Sequence, residues 1–260
     1  MADTTSSVQT HYGSGELVDR ILEALAAAGH DTANPTVEML NLIDQLHGGG
    51  FNSTKAQAEL VGFAKESRVV DAGCGVGGSS RYLAHTYGCR IEAIDLTPEY
   101  VEAAERLNEL CGLGDRITVR QGSVTDLPYE DQSADIVWCQ NVSMNVEDKP
   151  AMFAEAYRVL SPGGRYTISH AAQGPAGEPH YPLPWAMEPS YSHLGTPEQV
   201  LGWLEDAGFR IIEHLKEGGA GARARSRPAR WVQASSWGRT CRNVSPIPPA
   251  RPGKAGWSAC

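Results

Sequence analysis

Val69-Val70-Asp71-Ala72-Gly73-Cys74-Gly75-Val76-Gly77-Gly78 is the stretch that decides the fold. A short apolar run of strand type ends in a carboxylate and a small residue. Four glycines then fall within six positions, and a helical pattern follows from Gly78 to Tyr87. Glycines at a strand-to-helix junction permit a tight turn and let the backbone come close to a ligand. The N–H groups of the turn and of the first helical turn then face that ligand. Asp95 closes the next strand pattern, 22 residues after Gly73. A carboxylate there can accept bonds from both hydroxyls of a ribose.

Working outward, strand patterns fall at Arg68–Ala72, Arg90–Asp95, Ile117–Gln121, Asp135–Gln140, Arg165–Ser169 and Arg210–Lys216. Helical patterns fall between them at Gly78–Tyr87, Pro98–Cys111, Lys149–Leu160 and Pro197–Ala207. This alternation predicts an α/β fold: a Rossmann-like, doubly wound, mostly parallel sheet covered on both faces. Six strands are clear. Arg230–Ser235 carries too short a signal to count as a seventh, and without one an edge of the sheet stays unpaired. Ahead of the sheet, Glu16–Ala28 shows an apolar stripe of Leu17, Ile21, Leu25 and Ala28. Pro35–Leu46 reads as a second helix with Asn34 as its N-cap, broken by Gly48-Gly49-Gly50. A third helix starts at Ser53 or Thr54 and reaches about Lys65. The expected organisation is an N-terminal helical lid over 1–66, a core over 67–217 and a tail over 218–260.

The tail holds eight basic residues and no acidic one, five prolines and three tryptophans, while the first 217 residues carry a net charge of −17. Composition of this kind usually means disorder. A basic arm for nucleic acid or an anionic surface is a second reading, and a shifted reading frame a third. The acidic body argues against a nucleic-acid footprint. No apolar run reaches the roughly 20 residues of a membrane span, and the N-terminus lacks a signal pattern. Six scattered cysteines without a C-x-x-C pair indicate neither a zinc site nor a disulfide framework, and a reducing cytoplasm is the simplest expectation.

Gly73-x-Gly75-x-x-Gly78 alone also fits a dinucleotide fold. Asp71 two residues before the first glycine, the dense Gly73-x-Gly75-x-Gly77 cluster and the turn Leu160-Ser161-Pro162-Gly163-Gly164 before the fifth strand separate the readings. Together they resemble the class I S-adenosylmethionine-dependent methyltransferases, from about Arg68 to Lys216. The body, with its HYGSG-like start and Met144-Asn145-x-x-Asp148-Lys149, looks similar to small-molecule members assigned to sarcosine and dimethylglycine. The resemblance implies S-adenosyl-L-methionine as cofactor and gives each residue a role. Gly73 and Gly75 would line its methionine part, with Gly77 also cofactor-binding, and Asp71 would hold the loop and reach the cofactor's amino group. Asp95 would bind the ribose, with Leu96 on the adenine. Ser123 and Val124 would border the adenine, where many relatives have Asp in place of Ser123. Gln140 would sit close to the sulfonium. The family has a seventh strand, antiparallel and inserted beside the sixth, for which this chain shows no clear signal.

A methyl acceptor is expected between the lid and the segment after the fifth strand, residues 171–195. Tyr12, Asn141, Met144, Tyr181 and Trp185 are the candidate substrate residues. Their aromatic rings suit a methylated ammonium by cation–π contact or a flat acceptor by stacking. The N/D-P-P-Y/F tetrapeptide of nucleobase-amine methyltransferases is absent after the fourth strand. The implied reaction is in-line methyl transfer to a small-molecule nitrogen, oxygen or carbon, with catalysis from alignment. A hydroxyl acceptor needs a base, and His170 at the end of the fifth strand is the candidate, with His11, His180 and His193 as alternatives. The competing classes are a non-catalytic or damaged cofactor-binding protein and an NAD-dependent oxidoreductase. No metal is indicated. A small molecule is the expected partner, with neither nucleic acid nor membrane, and the oligomeric state, homodimer included, stays open.

Overall fold

Seven strands form one sheet in the order β3-β2-β1-β4-β5-β7-β6 in a computed structural model, which describes residues 17–215 and the strand at 232–234. The strands are β1 (Arg68–Ala72), β2 (Arg90–Asp95), β3 (Ile117–Gln121), β4 (Ala134–Gln140), β5 (Leu160–Ser169), β6 (Phe209–Ile211) and β7 (Val232–Ala234). The first five are parallel. The helices are α1 (Leu17–Ala27), α2 (Val37–Leu40), α3 (Gly50–Val61), α4 (Gly78–Tyr87), α5 (Pro98–Leu110), α6 (Lys149–Val159) and α7 (Pro197–Asp206). The Rossmann-like alternation expected from the sequence is therefore present.

Each face of the sheet has its own core, because the central strands are apolar on both sides. Val69, Ile91, Leu83, Val61 and Trp138 pack on one face. Val70, Val137, Phe153, Tyr166 and Phe209 pack on the other. Full burial of such a side chain stabilises by roughly 1.5–3 kcal/mol. A third cluster joins Ile21 and Leu25 of α1 to Leu107 of α5 and to Val76 of the Gly-rich turn. Helix α1 thus rests on the same turn that the sequence singles out.

Three local expectations need correction. The second helix is only Val37–Leu40, and its N-cap is Thr36, whose Oγ1 accepts the Met39 N–H at 3.3 Å. Beyond Leu40 the chain leaves the helix, and the buried Asn41 and Asp44 turn inward. The third helix starts earlier than expected, at Gly50, after Gly49 in the left-handed region at φ 83°. The third correction is the seventh strand. Val232–Ala234 lies between β5 and β6 and runs antiparallel to both, pairing Tyr166 with Val232 and Phe209 with Ala234. The expected open edge on that side of β5 is filled by this backbone. His11, Tyr12 and the tail apart from 232–234 lie outside the described residues.

The turn expected before the fifth strand is a bulge within it. Ala134 pairs with Leu160 and Ile136 with Arg165, so the Ser161–Gly164 residues are accommodated as extra length on β5. Among the described residues no helix is long and apolar enough to cross a membrane.

Candidate functional site

The carboxyl ends of β1, β2, β3 and β4 converge on one edge of the sheet, as parallel strands require. With the lid segment Asp44–His47 they enclose a cleft of about 260 Å³. Its floor is the Gly-rich turn. The Gly75 N–H donates to Asp95 Oδ2 at 2.8 Å, and the Thr97 N–H donates to Asp95 Oδ1 at 3.0 Å. These backbone donors, joined by the Thr97 side chain and the Leu96 backbone, fix the carboxylate. Gly75 has φ 55°, and a Cβ there would meet nothing within 4 Å among the described residues. The turn therefore leaves a bare stretch of backbone with open space in front of it. Burial raises the pKa of Asp95, and the Thr97 and Gly75 N–H groups oppose the rise.

Asp71 lies below this floor at 1% exposure and accepts a bond from Ser80 Oγ at 2.6 Å. Burial raises its pKa to about 7, against the Ser80 hydrogen bond, and the Asp95 charge adds to the rise. Among the described residues no cationic side chain forms an ion pair with it. A buried carboxyl in this condition favours any cation that reaches it.

Gln140 ends β4 on the cleft wall. Its Oε1 accepts from Ser79 Oγ at 2.8 Å and faces Thr54 Oγ1 at 3.1 Å, while its buried Nε2 has no partner among the described residues. Thr54 also faces Gln45 Oε1 at 2.6 Å and His47 Nε2 at 3.2 Å. A single hydroxyl proton serves these neighbours, so helix α3, the lid and β4 meet at one side chain. Burial lowers the pKa of His47, against its contact with the Gly48 carbonyl and the charge of Asp44.

Asp71, Gly73, Gly75, Asp95, Leu96, Ser123, Val124, Gln140 and Asn141 of the sequence-derived set all line this cleft. Asn141 does so with a left-handed φ of 56°. Gly77 is not on the cleft wall; it caps α4 from behind, beside Arg81 and Ala104. Met144 is buried at 5% exposure and does not line the cleft. Tyr181 and Trp185 are also outside the lining. Residues 171–195 are nonetheless tied down: Asn145 Nδ2 donates to the Trp185 and Tyr191 carbonyls at 2.8 and 3.1 Å, and Lys149 Nζ donates to the His193 carbonyl.

His170 is not brought to this cleft either. It borders a second cavity with Gln57, Ser169, Leu201 and His214. Its buried Nδ1 has no partner among the described residues, and burial, with Lys149 and His214 nearby, lowers its pKa to about 4. The strand end carries the backbone toward the edge of the sheet, but the side chain turns between α3 and α7. Sequence reasoning missed Asp44, Gln45, His47, Ser79, Tyr100 and Glu147, which also line the cleft. The lid residues carried no local signal, since a helix was expected through them. Among the described residues no cluster of three metal-ligating side chains occurs.

Residues 70–168 match the family model described as a methyltransferase domain. The chain is 33% identical over 147 residues to a sarcosine/dimethylglycine N-methyltransferase of Halorhodospira halochloris, covering 56% of this chain and 53% of that protein. It is 36% identical over 161 residues to a glycine/sarcosine/dimethylglycine N-methyltransferase of Actinopolyspora halophila, covering 62% of this chain and 28% of that protein. The chain thus spans about half the length of the first relative and less of the second. A solved geranyl diphosphate methyltransferase, in complex with GPP and sinefungin, has the same fold at TM-score 0.63 and 22% identity, covering 80% of this chain and 82% of that one. Residues 70–168 thus match a methyltransferase domain, within a fold shared with that solved methyltransferase.

Proposed function

We propose, on the premise of that domain, that this chain is an enzyme that binds S-adenosyl-L-methionine in the Asp71–Asp95–Gln140 cleft and transfers its methyl group to a small molecule. The observation that carries this reading is the Asp95 carboxylate, held by Gly75 and Thr97 at the mouth of a bare glycine turn. The site residues suit the cofactor's chemistry. Asp95 would take the ribose hydroxyls. Leu96 and Val124 would flank the adenine, and the Ser123 hydroxyl would accept from its amine. Asp71, a buried carboxyl without an ion-pair partner among the described residues, suits the ammonium. The unpartnered Gln140 Nε2 supplies a donor on the same wall.

The bound cofactor supplies a sulfonium methyl open to in-line displacement. The chain's own task is then alignment: the cleft holds one reactant, and the lid excludes water. The named N-methyltransferase relatives support an amine acceptor, with oxygen and carbon acceptors as the alternatives. An ammonium acceptor loses its proton to solvent beforehand, and the neutral amine then attacks the methyl without a base from the protein. Four unpaired thiols among the described residues, Cys74, Cys89, Cys111 and Cys139, support a reducing compartment such as the cytoplasm.

Calorimetric titration with S-adenosylhomocysteine, with NADH as control, tests the cofactor. Binding of the first alone supports the reading, and binding of neither by a folded chain overturns it. A labelled-methyl assay across sarcosine, dimethylglycine and phenolic acceptors then tests the acceptor class.

A further inference from the structure

The lid crosses the Gly-rich turn through one buried ion pair. Arg81 Nη2 lies 2.9 Å from Asp44 Oδ2, and both side chains are 0% exposed. Arg81 comes from α4 and Asp44 from the lid segment after α2, 37 residues apart in the chain. The same guanidinium donates to the Val76 carbonyl at 2.7 Å and to Asn108 Oδ1 at 3.0 Å. It therefore grips the Gly-rich turn, α5 and the lid together. The planar five-donor fork of arginine allows this, and lysine could not repeat it. Asp44 passes the constraint on: its Oδ1 accepts Gln45 Nε2 at 2.9 Å, which leaves Gln45 Oε1 to face Thr54 at 2.6 Å. Thr54 in turn meets Gln140 at the end of β4.

The fit is close at the point of crossing. A Cβ on Gly78 would stand 2.6 Å from Gln45 Nε2 and 2.8 Å from the Asp44 carbonyl. Asp44, Gln45, Leu46 and His47 are the lid's contribution to the cleft. A buried pair is a poor source of net stability, because desolvation offsets most of the attraction. Its use here is geometric. It fixes where one wall of the cleft stands.

We infer that Asp44 and Arg81 are positioning residues for cofactor binding: their ion pair latches the lid segment Asp44–His47 onto the Gly-rich turn and so completes the cleft. The inference rests on the proposed cofactor site. Asp44 and Arg81 act through the wall they place, with Gln45 and His47 as the surfaces it presents. The lid residues then set affinity jointly with Asp95, from the opposite side of the same cleft.

The test compares wild type, Asp44→Asn, Gly78→Ala and Leu204→Ala. Leu204, on the buried side of α7 at 2% exposure, is the control for plain destabilisation. Each protein is titrated calorimetrically with S-adenosylhomocysteine, and its backbone amide exchange over residues 41–50 is followed without ligand. Asp44→Asn removes the charge pair, whereas Gly78→Ala wedges the lid away and leaves both partners in place. The expected result is a Kd raised at least tenfold in both, with faster exchange over 41–50, and an unchanged Kd in Leu204→Ala despite its lower Tm. If Asp44→Asn fails to fold, Gly78→Ala carries the test alone. Wild-type affinity and wild-type exchange in the folded variants would overturn the latch. Equal Kd losses in Leu204→Ala would overturn it as well, by showing that stability alone governs binding. Failure of the wild type to bind would count against the cofactor reading instead, and unchanged exchange over 41–50 would then separately remove the latch.

Discussion

The backbone N–H of Gly75 and the carboxylate of Asp95 meet at 2.8 Å across 20 residues of chain. This bond joins the turn after β1 to the end of β2, and it aims one carboxylate over open space. Replacement of Asp95 by Ala removes the acceptor for two backbone donors and the expected partner of the ribose. S-adenosylhomocysteine affinity should fall at least tenfold, about 1.4 kcal/mol. Calorimetry on a variant with a cooperative melt checks this, and an unchanged Kd would place the ribose elsewhere.

Asp71 gives the ligand-free protein a signature in its pH dependence. Its folded pKa is raised to about 7, chiefly by burial, against about 3.9 in an unfolded chain. Between these values the folded state holds a proton that the unfolded state has lost. Stability therefore falls as pH rises from about 4 to about 7, with a slope approaching 1.4 kcal/mol per pH unit, and then levels off. Asp71→Asn should remove that slope and weaken S-adenosylhomocysteine binding above pH 7. Denaturant melts of both proteins from pH 4 to 8 measure the difference, and parallel curves would refute the assignment.

His170 works in the opposite direction. Burial lowers its folded pKa to about 4, below the usual 6.5. As pH falls from 6.5 toward 4 the unfolded state gains a proton first, so the folded state loses up to about 1.4 kcal/mol per pH unit. His170→Leu should flatten this acid limb. Because His170 borders the second cavity and not the cleft, its S-adenosylhomocysteine Kd should match the wild type. A tenfold weaker Kd would show that the two cavities communicate.

Helix α7 begins with a capping box: Thr196 Oγ1 accepts the Gln199 N–H, and Gln199 Oε1 accepts the Thr196 N–H at 2.9 Å. Thr196→Ala should cost about 1 kcal/mol of stability. A lower urea midpoint with an unchanged m-value is the expected readout.

Much of the site was legible because its chemistry is local. Asp71, the glycines of the turn and Asp95 stand at strand ends whose positions follow from the alternation of apolar strand and helix patterns. Once the strands are parallel, those ends must share one edge of the sheet. His170 obeyed the same rule for its backbone, yet its side chain turned between α3 and α7, and no local pattern encodes that choice. The lid failed for a related reason. Asp44 looks like an ordinary helix-surface residue until Arg81 appears opposite it, 37 residues further along the chain.

The sequence by itself determined the order of elements, the parallel core and the glycine turn with its two carboxylates, because periodicity and backbone freedom act within a few residues. Tertiary structure alone decided the wall formed by Asp44–His47 and the separation of His170 from the cleft. It also decided the place of Val232–Ala234 between β5 and β6. That strand is too short to declare itself, and its backbone donors and acceptors are satisfied only by neighbours distant in the chain. Long-range pairing and burial settle such features, and a sequence window contains neither.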